Sequence, residues 1–346
     1  MAPRILHLMP YDGIGGVELA ARSMPVGEVG GLEVHRLYIA DKGTGIDGPF
    51  DHLGPYPSEN DPRNHAFALR RIAALKPDLL IASLWRTVPV ALAAKARLRD
   101  MKLAAFLHLP HDVHRIDALL TRALMAPADA IWCDSVATRD ARVPPLRRAD
   151  ARVISFLLNR PTLRSPRDLA PHFAFWGRLN WQKGLDRAID LFARIHARHP
   201  DATFTIIGPD GGAEADLKAQ VHRLDLATAV RFTGPLPQSE IARQTAHSSF
   251  FLHASKTEGM ALSVVEAMQA GLVPLVTPVG EIPDYSVDGT SALFLDGQTD
   301  ADRIEALLSD SPRFRAMSTA AMQAFATRLL YRDDILAAAR DLLEKA

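Results

Sequence analysis

Seven residues separate Glu258 from Glu266 in the stretch Ser255-Lys256-Thr257-Glu258-Gly259-Met260-Ala261-Leu262-Ser263-Val264-Val265-Glu266-Ala267-Met268-Gln269-Ala270-Gly271. The apolar run Phe250–His253 before it reads as a strand. The periodicity from about Met260 to Ala270 reads as a helix, stopped by Gly271. At a rise of about 1.5 Å per residue, the spacing is ~12 Å if helical throughout. Glu258 is therefore expected in the loop at the positive end of the helix, with Glu266 two turns deeper. The amides of Gly259, Met260, Ala261 and Leu262 fall between them without intrahelical acceptors, a site able to hold a phosphate. A nucleotide sugar has a matching layout of sugar hydroxyls, diphosphate and ribose hydroxyls. A bare glutamate pair at this spacing would more simply be a loop carboxylate and a solvated helix face. The preceding strand, the Glu-Gly turn and the Glu-Ala-Met-x-Ala-Gly ending favour the site.

Elements able to position such a site recur along the chain. Apolar segments of a few residues alternate with longer helical patterns, the signature of parallel sheets with crossover helices in an α/β fold. Strands are expected at Ile5–Met9, Val34–Ile39, Leu79–Ala82, Leu103–Leu107, Ala130–Cys133 and Val153–Phe156. The segment Leu158–Pro171 breaks the rhythm with Pro161, Pro166 and Pro171 among Arg160, Arg164 and Arg167, as a linker would. The pattern restarts at Phe173–Trp176 and continues through Thr203–Ile207, Val230–Thr233, Phe250–His253, Val273–Thr277 and Ala292–Leu295. Two domains follow, residues 1–158 and 172–327, with a final helix over about 328–346 expected to pack back onto the first. Open parallel sheets bind ligands beyond the carboxyl ends of their strands, so a cleft between two such domains is the expected place for chemistry.

On these residues the chain resembles glycosyltransferase family 4, retaining enzymes of the GT-B fold, in which two Rossmann-like domains face each other across a cleft. The resemblance is strongest from about Phe173 to Leu295 and weak over 41–102. It implies that Glu258 contacts the donor sugar and Glu266 the ribose, with Met260 where the family usually has phenylalanine. Gly177-Arg178-Leu179 with Lys183-Gly184 resembles the element in which arginine and lysine bind the donor diphosphate, so Arg178 and Lys183 are expected to stabilise the leaving group. Gly208, in Ile207-Gly208-Pro209, resembles the loop that borders the donor, although a plain turn explains it as well. Leu236 falls in the segment that meets the base. Gly15 and Gly16 resemble the family's glycine loop, on the diphosphate or acceptor side. His108, at a strand end, corresponds to a histidine beside the donor sugar. The loop Pro278-Val279-Gly280-Glu281-Ile282-Pro283-Asp284 departs from the usual Gly-Gly-x-Pro-Glu.

Composition narrows the remaining classes. The 346 residues carry 40 Lys plus Arg and 40 Asp plus Glu, so a dedicated nucleic-acid binder is not expected. One cysteine, Cys133, leaves no intramolecular disulfide. No apolar run reaches membrane-spanning length, and the opening residues lack the apolar centre of a secretory signal, which points to the cytoplasm. Eight arginines and two aspartates between Arg139 and Arg167 suggest peripheral contact with an anionic membrane face, or a solvated run. His108, His111 and His114 lie close together, but a strand end and a proline loop separate them, and no metal site is expected. Asp300-Ala301-Asp302 reads as helix capping rather than a metal motif.

The expectation is a retaining, metal-independent glycosyltransferase with no cofactor. It would move sugar from a UDP or GDP sugar to a glycan or lipid-linked hydroxyl acceptor in cell-envelope polysaccharide, lipopolysaccharide or glycolipid synthesis. A non-catalytic nucleotide-sugar binding protein of the same fold is the alternative. A dinucleotide-dependent oxidoreductase, suggested only by Gly13–Gly16, should bind NAD or NADP, and no such binding is expected. Donor identity, acceptor and oligomeric state are not legible.

Overall fold

The computed structural model describes residues 2–13, 15–159 and 166–345. The chain divides into two compact units, Met1–Leu158 with Leu329–Ala346, and Asn159–Arg328. Ile14 of the glycine loop and Arg160, Pro161 and Arg164 of the expected linker lie outside the described residues.

The first unit is built on strands β1 (Arg4–Tyr11), β2 (Gly27–Val29), β3 (Leu32–Ala40), β4 (Asp51–Leu53), β5 (Leu79–Ser83), β6 (Lys102–Leu107), β7 (Ala130–Cys133) and β8 (Arg152–Val153). They form one sheet in the order β2-β3-β1-β5-β6-β7-β8, with β4 pairing β3. Among the described residues only β2 with β3 is antiparallel. Every residue of β5 is buried, as helices on both faces of a parallel sheet require. The second unit has β9 (His172–Trp176), β10 (Thr203–Ile207), β11 (Val230–Phe232), β12 (Phe250–His253), β13 (Val273–Val276) and β14 (Leu293–Phe294). All are parallel, in the order β11-β10-β9-β12-β13-β14. Phe173 and Phe250 stack across β9 and β12 at 5.1 Å between ring centroids. The T-shaped contact of Phe250 with Phe314 extends that core to the helix Ser311–Gln323.

Several elements differ from the sequence expectation. The strand read over Val153–Phe156 pairs only at Arg152–Val153. Beyond it the backbone is taken by the last helix, Tyr331–Glu344: the Ser155 amide donates to Asp334 at 2.7 Å, and the Tyr331 amide donates to Leu157 O at 2.8 Å. Helical patterning over 312–345 resolves into Ser311–Gln323 and this final helix. Arg152 pairs with Asp334 and Asp341, and Tyr331 packs on Phe106 and Phe156, fixing the last helix to the first unit.

The helix Pro62–Leu75 was not anticipated. Asp61 caps it with an acceptor for the Arg63 amide and proline opens it. Only Asn64, Ala68 and Ile72 of it are buried, too thin an apolar stripe to read from periodicity. Helix Val88–Arg97 and the short β2 and β4 were also missed.

Candidate functional site

In the second unit the chain runs outward from β9 to β10 and β11, then returns to the other side of β9 as β12. This reversal is the switch point at which open α/β sheets bind ligands, beyond the carboxyl ends of their strands. Trp176, Gly177 and Arg178 leave β9 there, and the loop carrying Glu258 leaves β12. The two loops are stapled together. The Lys256 amide and the Ser255 hydroxyl donate to Gln182 O, and the Gln182 side chain donates to Thr257 O at 2.9 Å. Asn180 caps the short 3-10 turn Trp181–Lys183 through its side chain. Gly184 then turns with φ +63°, and a Cβ there would strike Ala254 O. Only glycine admits that approach.

This stapling delivers Lys183 to Glu258. The lysine Nζ donates to both carboxylate oxygens, at 2.8 and 3.0 Å. His253, fully buried at the end of β12, brings Nε2 to 3.2 Å from Glu258 Oε1. Burial alone would raise the Glu258 pKa, but His253 and the Lys183 charge outweigh it and hold the carboxyl at about 2. Burial conversely lowers the His253 pKa, keeping that imidazole neutral. Sequence reasoning placed Glu258 at the sugar and Lys183 at the diphosphate as separate groups. The structure joins them as one buried ion pair, and His253 was missed. Its only signal was its position at a strand end, shared with His108.

Glu266 lies on the helix Leu262–Gln269, where the Trp176 indole N–H donates to its Oε2 at 2.7 Å. Burial raises its pKa, opposed by Trp176 and Gln238. The two glutamates thus stand in opposite electrostatic conditions. Trp176 and Gln238 were not anticipated as supports.

Among the described residues, the amides of Gly259, Met260, Ala261, Leu262 and Ser263 have no recorded acceptor, as expected for a helix entry open to an anion. The helix begins at Leu262 rather than Met260 because Ala261 is left-handed, with φ +53°. That conformation is strained for a residue with a Cβ. The loop that departs from the family pattern supports this turn. The Glu281 amide donates to Gly259 O at 3.0 Å, and Gly280, at φ +61°, sits against the carbonyls of Glu258 and Gly259 so closely that a Cβ would collide with both.

Arg178 is exposed and has no recorded ion pair among the described residues, which leaves its guanidinium available to a ligand. Gly208 has a structural explanation of its own. Its φ is +149° and a Cβ would overlap Gly177 O, so the turn reading accounts for it without a ligand. Leu236 is half-buried in the loop before the helix Gln238–Gln244, whose first residue supports Glu266.

In the first unit, His108 is buried at the end of β6 and lines a cavity of about 120 Å³ with Tyr11, Trp85, Arg86, Asp117 and Arg142. His114 caps the helix Arg115–Met125 by accepting from the Asp117 amide, while His111 is exposed. Gly15 and Gly16 open the helix Gly16–Ser23, but a Cβ on Gly15 would collide with the Glu18 carboxylate. The expected anion role of these glycines therefore meets a carboxylate already in that first turn.

The arginines of 139–167 among the described residues are largely committed within the units rather than solvated. Arg142 binds Asp112 and Asp117; Arg147 and Arg148 donate to carbonyls; Arg167 donates to the carbonyls of Ala270, Thr245 and Ser248. Asp300 does not cap its own helix. It accepts from the Asp296 and Gly297 amides of the preceding loop, and Asp302 pairs with Arg198. Among the described residues no group of three or more His, Cys, Asp or Glu is arranged to hold a metal, and no helix is long and apolar enough to cross a membrane.

Residues 165–324, which contain this whole arrangement of Trp176, Arg178, Lys183, Glu258 and Glu266, match the family described as glycosyl transferases group 1. The second unit is similar to a glycosyl transferases group 1 domain. Over 158 residues the chain is 30% identical to the D-inositol 3-phosphate glycosyltransferase of Corynebacterium diphtheriae, a match covering 43% of this chain and 37% of that protein. It is 25% identical to the uncharacterized glycosyltransferase YqgM of Bacillus subtilis, over 71% of this chain and 72% of the relative. The chain thus spans well under half the length of the first of these relatives. The structure of HepE from Anabaena with UDP and glucose superposes with a TM-score of 0.81, at 20% identity, over 99% of this chain and 100% of HepE. That likeness extends the fold assignment to both units: a GT-B glycosyltransferase fold of two Rossmann-like α/β units.

Proposed function

We propose that this protein is a retaining glycosyltransferase that moves a hexose from a UDP or GDP sugar to a hydroxyl acceptor. The observation that carries the reading is the pair of differently tuned glutamates. The buried Glu258–Lys183 ion pair and the Trp176-held Glu266 flank five amides without recorded acceptors among the described residues. In this proposal Glu258 accepts from sugar hydroxyls and Glu266 from ribose hydroxyls. The open amides and Arg178 hold the diphosphate, and Lys183 adds charge beside the scissile bond. The sugar–phosphate bond breaks as the acceptor oxygen attacks from the same face, and the leaving diphosphate takes the acceptor proton. Fixed cations and amides stabilise that developing charge without reorganisation.

HepE, crystallised with UDP and glucose, supports a uridine donor. The names of two relatives, D-inositol 3-phosphate glycosyltransferase and the phosphatidylinositol N-acetylglucosaminyltransferase gpi3 subunit of Schizosaccharomyces pombe, support a glycolipid or envelope-glycan acceptor. Action at the cytoplasmic membrane face, without metal or cofactor, belongs to the same proposal. A calorimetric panel of nucleotide sugars, followed by transfer assays with the tightest donor, tests it. Binding of a UDP or GDP sugar with transfer, or slow donor hydrolysis, is the expected result. Binding with neither reaction would instead indicate a nucleotide-sugar binding protein, and binding of no nucleotide sugar would reject the reading.

A further inference from the structure

Three polar side chains inside the first unit form a chain that the reading above does not use. His7 Nε2 lies 2.8 Å from Ser83 Oγ, and the same oxygen lies 3.0 Å from His108 Nε2. They come from β1, the end of β5 and the end of β6, neighbouring strands of the sheet. His7 and Ser83 are fully buried and His108 nearly so. Burial holds both imidazoles neutral, lowering His7 to about 3 and His108 well below its ordinary value. Each ring therefore carries one N–H.

The hydroxyl decides where those protons sit. Ser83 Oγ has one proton, and among the described residues its recorded partners are these two nitrogens alone. Both rings cannot accept from one proton. If both donated, the hydroxyl proton would be left unpaired in a dry interior, at a cost of about 1–3 kcal/mol. One histidine therefore donates and the other accepts, so the two rings are opposite tautomers.

The Nδ1 atoms choose between the two arrangements. Neither has a hydrogen-bond partner among the described residues. His7 is sealed in the sheet, where an orphaned N–H is rarer than an orphaned acceptor. His108 borders the cavity of about 120 Å³, which has room for an occupant. We infer that His7 and Ser83 are positioning residues: His7 donates to Ser83, Ser83 donates to His108 Nε2, and His108, a ring that borders this cavity, is locked as the tautomer protonated at Nδ1. The rings of Phe106 and Phe156, at 4.2 and 5.6 Å between centroids, hold the imidazole plane.

The chemistry of the occupant follows from the lining. Arg142 is matched by Asp112 and Asp117, and Arg86 by Glu59, so the cavity suits an uncharged hydroxyl oxygen. That this oxygen belongs to a sugar substrate rests on the proposed function.

Nitrogen-15 NMR of the intact, histidine-labelled protein tests the lock, with resonances assigned through His7→Gln and His108→Gln. The expected spectrum shows His108 protonated at Nδ1 and His7 at Nε2. Ser83→Ala should leave a dispersed spectrum, turn His108 into a tautomer mixture, and lower kcat/KM for transfer about tenfold. His7→Leu, which frees the hydroxyl to donate or accept, should also give a mixture at His108. Like tautomers in the wild type, His108 protonated at Nε2, or an unchanged His108 tautomer in both variants would overturn the inference. Opposite tautomers in a protein that transfers from no donor would uphold the lock while removing the proposed function, so the two failures are distinguishable.

Discussion

Lys183 Nζ contacts both carboxylate oxygens of Glu258, at 2.8 and 3.0 Å, in a pocket where the carboxylate side chain is only 6% exposed. Removing one partner of a buried pair strands the other charge, at a typical cost of about 3–5 kcal/mol. Lys183→Ala should therefore destabilise the protein by about 3 kcal/mol in urea unfolding. The double variant Lys183→Ala/Glu258→Gln should recover most of that loss. Additive losses would show that the pair is not coupled. Glu258→Gln alone should lower kcat/KM about 100-fold, because the neutral amide is a weaker acceptor for sugar hydroxyls.

The same carboxylate sets an acid limit on stability. Its pKa is about 2 in the folded protein against an ordinary 4.5, so the unfolded chain binds its proton more readily. The stabilisation is present in full above pH ~4.5 and fades as pH falls from there towards 2, about 3 kcal/mol in all. Unfolding midpoints measured across that window should fall more steeply for wild type than for Glu258→Gln. Parallel pH curves would remove this account.

Glu266 should make nucleotide affinity depend on pH on the acid side. Burial raises its pKa, so it takes up a proton earlier than an ordinary glutamate as pH falls, and a protonated carboxyl accepts poorly from ribose hydroxyls. The Kd for the nucleotide should rise as pH falls, beginning at a higher pH than an ordinary glutamate would give. Glu266→Gln should flatten that dependence, and Glu266→Ala should weaken binding about 10- to 100-fold. Trp176→Phe removes the indole N–H that favours the ionised form, so its acid limb should move to higher pH. Calorimetric titrations at several pH values read all three.

Arg178 and Lys183 should separate in stability assays though both are expected at the diphosphate. Arg178 is exposed and without a recorded ion pair among the described residues. Arg178→Ala should cost less than about 0.5 kcal/mol in stability while weakening nucleoside diphosphate binding about tenfold, most clearly at low salt. Equal losses for the nucleoside and its diphosphate would place Arg178 elsewhere.

Gly280 holds the Glu258–Gly259 turn by proximity, with no space for a Cβ against the carbonyls of Glu258 and Gly259. Gly280→Ala should displace that turn, destabilise the fold by about 2 kcal/mol and weaken donor binding at least tenfold. Gly289→Ala is the control, since that glycine is also left-handed, at φ +70°, but has nothing within 4 Å of a Cβ. It should lose stability through backbone strain alone and keep its donor affinity.

Much of this was legible in one dimension. Alternating strands and helices, the Glu-Gly turn and the second glutamate depend on local periodicity and backbone chemistry, which neighbouring residues largely set. The α/β class and the residues Arg178, Lys183, Glu258 and Glu266 followed from those patterns and the resemblance they carried. What remained hidden depends on residues far apart in the chain. Lys183 meets Glu258 because Gly184 lets one loop close onto another; Trp176 reaches Glu266 from a different strand; Gly280 packs on a turn twenty residues earlier. Some arginines of 139–167 looked like part of a basic face because their partners, such as Asp334 for Arg152 and Asp117 for Arg142, are distant in sequence. His7, Ser83 and His108 carry no common motif. Sheet order alone brings them together, and burial then turns three ordinary polar residues into a chain with a direction.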